Sequence, residues 1–137
     1  MAQITIIELD HIVLNVRGID RSFKFYTYVL GLQGERVEEF RAGKVSFPSV
    51  RINDQTIIDL FPRKNDPAQP ALEKASRNLN HFCLVVGPED FSGIVDYLQG
   101  NQVVIREGPV SRWGAQGRAT SVFFKQKTAY EIEIRCY

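Results

Sequence analysis

One repeat constrains this chain more than any other feature. Leu9-Asp10-His11-Ile12-Val13-Leu14-Asn15-Val16 is followed 70 residues later by Leu79-Asn80-His81-Phe82-Cys83-Leu84-Val85-Val86. The same offset pairs Asp20 with Asp90 and Ser22 with Ser92. It is close to half of the 137 residues, too long for a solenoid repeat and too short for two independent domains. Residues 1–137 therefore read as a single domain made of two copies of one supersecondary unit. Module 1 covers about 1–62, a linker about 62–78, and module 2 about 79–137.

Each copy reads as β-α-β-β-β. In module 1, residues 4–16 alternate as a strand. Asp20 is a suitable N-cap for a helix that Gly31 stops, with Phe23, Tyr26 and Leu30 on one face. Strands follow at about 35–40, 44–52 and 55–61, with Asn53-Asp54 as a turn. The linker is punctuated by Pro62, Pro67 and Pro70, with room for a helical turn at 71–77. Module 2 reads as strand 79–86, helix 90–99 capped by Asp90 and stopped by Gly100, and strands at about 102–106, 118–125 and 129–136. The stretch Glu107–Gly117, with one Trp and three Gly, reads as a long surface loop, with a cover over a pocket as the alternative.

Composition narrows the function. Lys and Arg total 17 against 16 Asp and Glu, so charge offers no argument for nucleic acid or an anionic membrane. No apolar run is long enough for a membrane span, and the N-terminus lacks a signal-peptide pattern. Two cysteines, Cys83 and Cys136, are too few for a disulfide scaffold, so a reducing cytoplasm is expected. No phosphate-binding Gly-rich loop is present.

Strand parity brings the rare histidines together. His11, Val13 and Asn15 share the face away from the helices, as do His81, Cys83 and Val85. Each copy also carries an acid near its end: Asp59 in Ile57-Ile58-Asp59-Leu60, and Glu133 in Glu131-Ile132-Glu133-Ile134-Arg135. A carboxylate in a half-buried strand needs a partner. Asp59 has Arg51 and Arg135 as alternatives, and the Glu133 alternation also fits a solvated sheet face. Two imidazoles and one or two carboxylates in a concave sheet suit a divalent metal: Zn, Ni, Mn or Fe(II). Cys83 shares the pocket-facing parity but reads as a small buried residue rather than a nucleophile.

Together with Phe25-Tyr26-Thr27-Tyr28-Val29-Leu30-Gly31-Leu32, which is similar to an "FYxxVLGL" helix end, these segments resemble the vicinal oxygen chelate superfamily. This is the glyoxalase, bleomycin-resistance and extradiol dioxygenase group. The resemblance implies an α+β fold: two βαβββ modules forming a cupped, half-open mixed β-barrel with helices outside. It implies His11, Asp59, His81 and Glu133 as metal ligands, with dioxygenase-like members using only the His, His and Glu positions. The segment Lys125-Gln126-Lys127-Thr128-Ala129-Tyr130 departs from the family's "R-D-P-D-G-N" turn before the final acid. A register slip there would turn Glu133 away and present Ile132 or Ile134.

The leading expectation is a metal-dependent, glyoxalase-like lyase or isomerase. A small substrate would chelate the metal through adjacent oxygens, and the metal would stabilise an enediolate or similar oxyanion. Glu133, or Asp59, would act as the catalytic base. Arg112, Trp113, Arg118 and Asn15 are the candidate substrate-binding residues, with Tyr130 as a further pocket residue. The alternatives are an Fe(II) extradiol-type dioxygenase, which the lack of a third histidine disfavours, and a metal-free drug- or metabolite-binding protein. A homodimer is the expected assembly.

Overall fold

A computed structural model describes residues 3–62, 78–125 and 131–137. The predicted helical turn at 71–77, most of the linker, and the turn segment with Tyr130 lie outside the described residues. The element order is β1 (Ile6–Val16), α1 (Ile19–Lys24) running into a π-helical turn (Phe25–Val29), β2 (Gln33–Glu35), α2 (Val37–Arg41), β3 (Ser49–Arg51) and β4 (Ile57–Pro62). The second half contributes β5 (Leu79–Val86), α3 (Pro88–Ser92), α4 (Ile94–Gly100), β6 (Ile105–Gly114), β7 (Gly117–Lys125) and β8 (Glu131–Cys136).

The strands form one eight-stranded mixed sheet in the order β2-β3-β4-β1-β5-β8-β7-β6. This order is a palindrome of the two copies. β1 and β5 meet antiparallel at the centre, and each is flanked by the last strand of its own module running parallel to it. The architecture is a cupped, half-open mixed sheet, unclosed between β2 and β6, as the resemblance implies.

In module 2 the helices cover one face. Ile94 and Leu98 of α4 pack with Val86, Val122, Phe124 and Ile134, and Ile132 and Leu84 close the cluster. Each such aliphatic or aromatic side chain contributes about 1.5–3 kcal/mol when buried. Ile132 and Ile134 thus face the helices, and Glu133 and Arg135 are buried on the opposite face. That alternation fixes the register of β8.

Several local expectations are corrected. The strand predicted at 35–40 is β2 followed by α2; Val37-Glu38-Glu39-Phe40-Arg41 has helix-favouring Glu and Arg. The strand at 44–52 begins only at Ser49, because Pro48 before it has no N–H to give a ladder. The predicted loop 107–117 is instead most of a hairpin: β6 runs to Gly114 and turns through Ala115-Gln116 into β7. Neither Asp20 nor Asp90 is an N-cap. Gly18 and Gly87 hold those positions, Pro88 starts α3, and the Asp90 carboxylate accepts the Thr5 N–H instead. The second helix is broken at Gly93. The first widens into its π turn, so Leu30 faces solvent rather than the predicted apolar face.

Candidate metal centre

The site grows from the two central strands. His11 on β1 lies opposite Cys83 on β5, and His81 lies opposite Val13, so the imidazoles are diagonal neighbours on one face. Parallel pairing of β5 with β8 sets Glu133 beside Cys83. Cys83, small and fully buried, is the middle of the row His11, Cys83, Glu133. The Nε2 atoms of His11 and His81 are each 3.1 Å from the same Oε1 of Glu133. One metal-sized group of described residues is therefore His11, His81 and Glu133, all buried.

The rings are held from behind by the residue preceding each histidine. Asp10 Oδ2 lies 2.6 Å from His11 Nδ1, and Asn80 Oδ1 lies 2.8 Å from His81 Nδ1. An acceptor at Nδ1 assigns the proton there and leaves Nε2 for the ligand direction. Asp10 is itself anchored: it accepts the Ala115 N–H at 3.0 Å and the Tyr137 hydroxyl at 2.5 Å. Glu133 Oε2 accepts from Ser121 Oγ at 2.6 Å and from Arg135 Nη2 at 3.0 Å. Arg135, fully buried, also donates to the carbonyls of Trp113, Arg112 and Gly117. The β6–β7 hairpin thus locks the underside of the site. Gly114 is obligatory there, because a Cβ would overlap the Arg135 guanidinium and come within 2.7 Å of Asp10 Oδ2.

Asp59 occupies the module 1 position equivalent to Glu133 but stands outside this group. Ser49 Oγ donates to its Oδ1 at 2.5 Å, and its Oδ2 is 4.0 Å from His11 Nε2. Neither alternative cation pairs with it: Arg51 bonds Glu35, and Arg135 bonds Glu133.

The electrostatics follow from this packing. Burial works against charge on His11, but hydrogen bonds to Asp10 and Glu133 outweigh it and lift its pKa to about 9. Burial likewise opposes the Glu133 carboxylate, but hydrogen bonds from both histidines hold its pKa well below the usual range. Asp59 shows the reverse balance: burial wins, and its pKa is raised. Burial and the Glu133 charge push the Cys83 thiol well up, so it is no nucleophile. Both cysteines are free thiols.

Above the histidines is a cavity of about 430 Å³. His11, His81, Glu133 and Asp59 form its floor, and Phe47, Phe61, Trp113 and Phe123 its aromatic walls. Arg112, Trp113 and Arg118 line it from the hairpin strands rather than from a loop. Asn15 is not among its lining residues; its Oδ1 accepts the Asn80 amide at 3.1 Å, one step behind His81. Sequence reading missed Asp10, Asn80, Ser121 and Arg36. The first two had a signal, a hydrogen-bonding residue directly before each repeated histidine. Arg36, a lining residue at the β2–α2 junction, fell inside a predicted strand.

The sequence profile of the glyoxalase/bleomycin resistance protein/dioxygenase superfamily matches residues 8–134. The chain belongs to this superfamily. It is 27% identical to the virulence protein STM3117 of Salmonella typhimurium, over 98% of this chain and 88% of that protein. It is 26% identical to the glyoxalase domain-containing protein RDO1 of Mycosarcoma maydis, over 98% of this chain and 71% of the relative. Among solved structures, the Mn(II)-bound glyoxalase from Novosphingobium aromaticivorans superposes with a TM-score of 0.72 at 11% identity, over 98% of this chain and 40% of that one. At that identity the superposition speaks for the fold. Members of this superfamily bind small-molecule substrates, and divalent metals are general among them.

Proposed function

We propose that this superfamily member is a metal-dependent enzyme of the glyoxalase type. In this reading His11, His81 and Glu133 hold one divalent ion, Zn, Ni, Mn or Fe(II). A small substrate binds in the cavity above them through two adjacent oxygens. The supporting observation is the convergence of two Nε2 atoms at 3.1 Å on one carboxylate oxygen, with each Nδ1 already committed. Spacings of about 3 Å suit neighbouring ligand atoms around an ion with bonds of about 2.1 Å. The donor set, neutral imidazole plus carboxylate, suits these metals. When bound, the ion supplies Lewis-acid polarisation of a substrate oxygen.

The remaining chemistry belongs to the chain. Both oxygens of Glu133 are engaged, Oε2 by Ser121 and Arg135, which suits a fixed ligand better than a moving base. Asp59 is the better proton carrier: it lines the cavity, only Oδ1 is tied to Ser49, and burial eases its protonation. Phe47, Phe61, Trp113 and Phe123 give the same cavity its apolar surface.

A second reading, the Fe(II) extradiol-type dioxygenase, gains from one observation. Three residues converge and Asp59 does not, and two histidines with one carboxylate suit Fe(II) oxygen chemistry. The chain has no third histidine to serve as its acid or base. Metal-free sequestration of a drug or metabolite gives the buried ligand set no task. We also propose a cytoplasmic homodimer. No helix among the described residues is long and apolar enough to cross a membrane, and Phe25, Tyr28, Val29 and Leu30 form an exposed apolar strip on the π turn and its end.

Elemental analysis after reconstitution tests the reading. About one equivalent of metal per chain is expected, and loss of it on His81→Ala. Protein that stays metal-free under these conditions would overturn the proposal. Anaerobic isomerase turnover marks the glyoxalase type, and oxygen uptake with Fe(II) marks the dioxygenase.

A further inference from the structure

Four arginines line the cavity, but among the described residues only two of them make an ion pair with a carboxylate. Arg112 Nη2 donates to Glu107 at 3.0 Å, and Arg106 makes a two-point pair with Glu131. Arg36 and Arg118 have no carboxylate within ion-pair distance among the described residues. Arg36 Nη1 is buried without a hydrogen-bond partner among the described residues, as is Arg135 Nε in the frame below the site. A buried charged donor left unpaired costs free energy, so such a group signals a missing acceptor. Arg118 sits across the β6–β7 hairpin from Trp113, and the Arg36 guanidinium lies 4.1 Å from the Trp113 ring centroid. Burial lowers the Arg36 pKa; the charges of Asp59 and Glu39 work against this, and the nearby Arg118 adds to the lowering.

The backbone supports a selected position. Arg36 has φ 59°, in the left-handed region that glycine tolerates best. A long charged residue held there pays in strain for its side chain's placement, a pattern that clusters at functional sites.

From Arg36 an aromatic strip leads to the metal ligands. Its guanidinium is 5.0 Å from the Phe47 ring, Phe47 is 4.6 Å from Phe61, and Phe61 is 6.4 Å from the His81 ring. We propose that Arg36 and Arg118 form an anion-binding end of the cavity, so that the substrate is an acid with an apolar body. Its carboxylate, phosphonate or sulfonate sits on the two guanidinium groups and its body lies along Phe47 and Phe61. The chelating oxygens then reach His81, which for that end of the molecule rests on the metal reading above. Arg112, already paired, is not part of the anion site.

The chain has one tryptophan, Trp113, so its fluorescence reports directly on this end. The test titrates metal-stripped protein with phenylacetate and with its uncharged isostere phenylacetamide, with calorimetry as a second readout. Phenylacetate should bind saturably and at least about tenfold more tightly than the amide, losing affinity as salt rises. Arg36→Met and Arg118→Met should each weaken it about tenfold or more, and Arg112→Met less than about twofold. Arg36→Gly, which the left-handed backbone accepts without strain, should show the same loss in a folded protein. Equal affinity for the two probes, no binding of either, or full binding by Arg36→Met would overturn the anion site. Because the protein is metal-stripped, these results stand whether or not the metal reading does, and metal content tests that reading separately.

Discussion

The two modules carry the same parts and use them differently. Each has a histidine on its first strand, with Nδ1 held by the preceding residue, Asp10 or Asn80. Each has an acid on its last strand that accepts from a serine on the strand before it, Ser49 or Ser121. Glu133 reaches both imidazoles, whereas Asp59, one methylene shorter, stays with its serine. The outer strands differ more. β6 and β7 are 10 and 9 residues long and clamp Arg135 and Asp10, whereas β2 and β3 have 3 residues each. The chain that module 1 does not spend on strands forms α2 and the segment to Phe47, which places Arg36 and Phe47 over the cavity. Module 2 supplies the frame and, with Trp113 and Arg118, part of the cavity lining, to which module 1 adds Arg36, Phe47 and Phe61.

The largest contrast should come from the paired acids. In metal-free protein, Glu133→Gln leaves the fully buried Arg135 and His11 short of a counter-charge, and should cost about 3–5 kcal/mol in urea unfolding. Asp59→Asn should change stability by less than about 1 kcal/mol, because burial already disfavours its charge. Equal costs would mean that the two acids carry the same structural load.

A pH series sharpens it next. The pKa of His11 is about 9 in the folded metal-free protein, above the ordinary 6.5. Its protonated form therefore stabilises the fold fully below pH 6.5, and that contribution is lost as pH rises toward 9. Thermal melts of metal-free protein should fall across this window, and bound metal should remove the trend because Nε2 no longer takes a proton. A flat metal-free profile would mean that Asp10 and Glu133 do not hold His11 charged.

The smallest effect concerns the anchors behind the rings. Asp10→Asn makes the module 1 anchor resemble that of module 2, and should weaken metal binding about 10–100-fold in chelator competition. Unchanged affinity would make the charged anchor irrelevant to the ligand it holds.

Much of this was legible in the sequence, for a physical reason. A 70-residue repeat places equivalent side chains on equivalent strands, and strand parity then sends His11, His81 and Glu133 to one face. The altered segment before β8 did not shift Glu133, because Ile132 and Ile134 pin the strand to the helices. The hairpin was hidden because register shifts on either side of Glu107 interrupt the period of two. Arg36 was hidden because its importance rests on an unusual backbone angle and on Trp113, which is distant in sequence. The reach of Asp59 depends on one methylene, which no pattern of residue types resolves.

The proposed centre holds one ion on His11, His81 and Glu133, with Asp59 beside it rather than bound to it. Metal content of reconstituted, desalted Asp59→Asn and Glu133→Gln tests it most directly. About one equivalent per chain is expected in the first and almost none in the second. Loss of metal from Asp59→Asn, or its retention by Glu133→Gln, would contradict it.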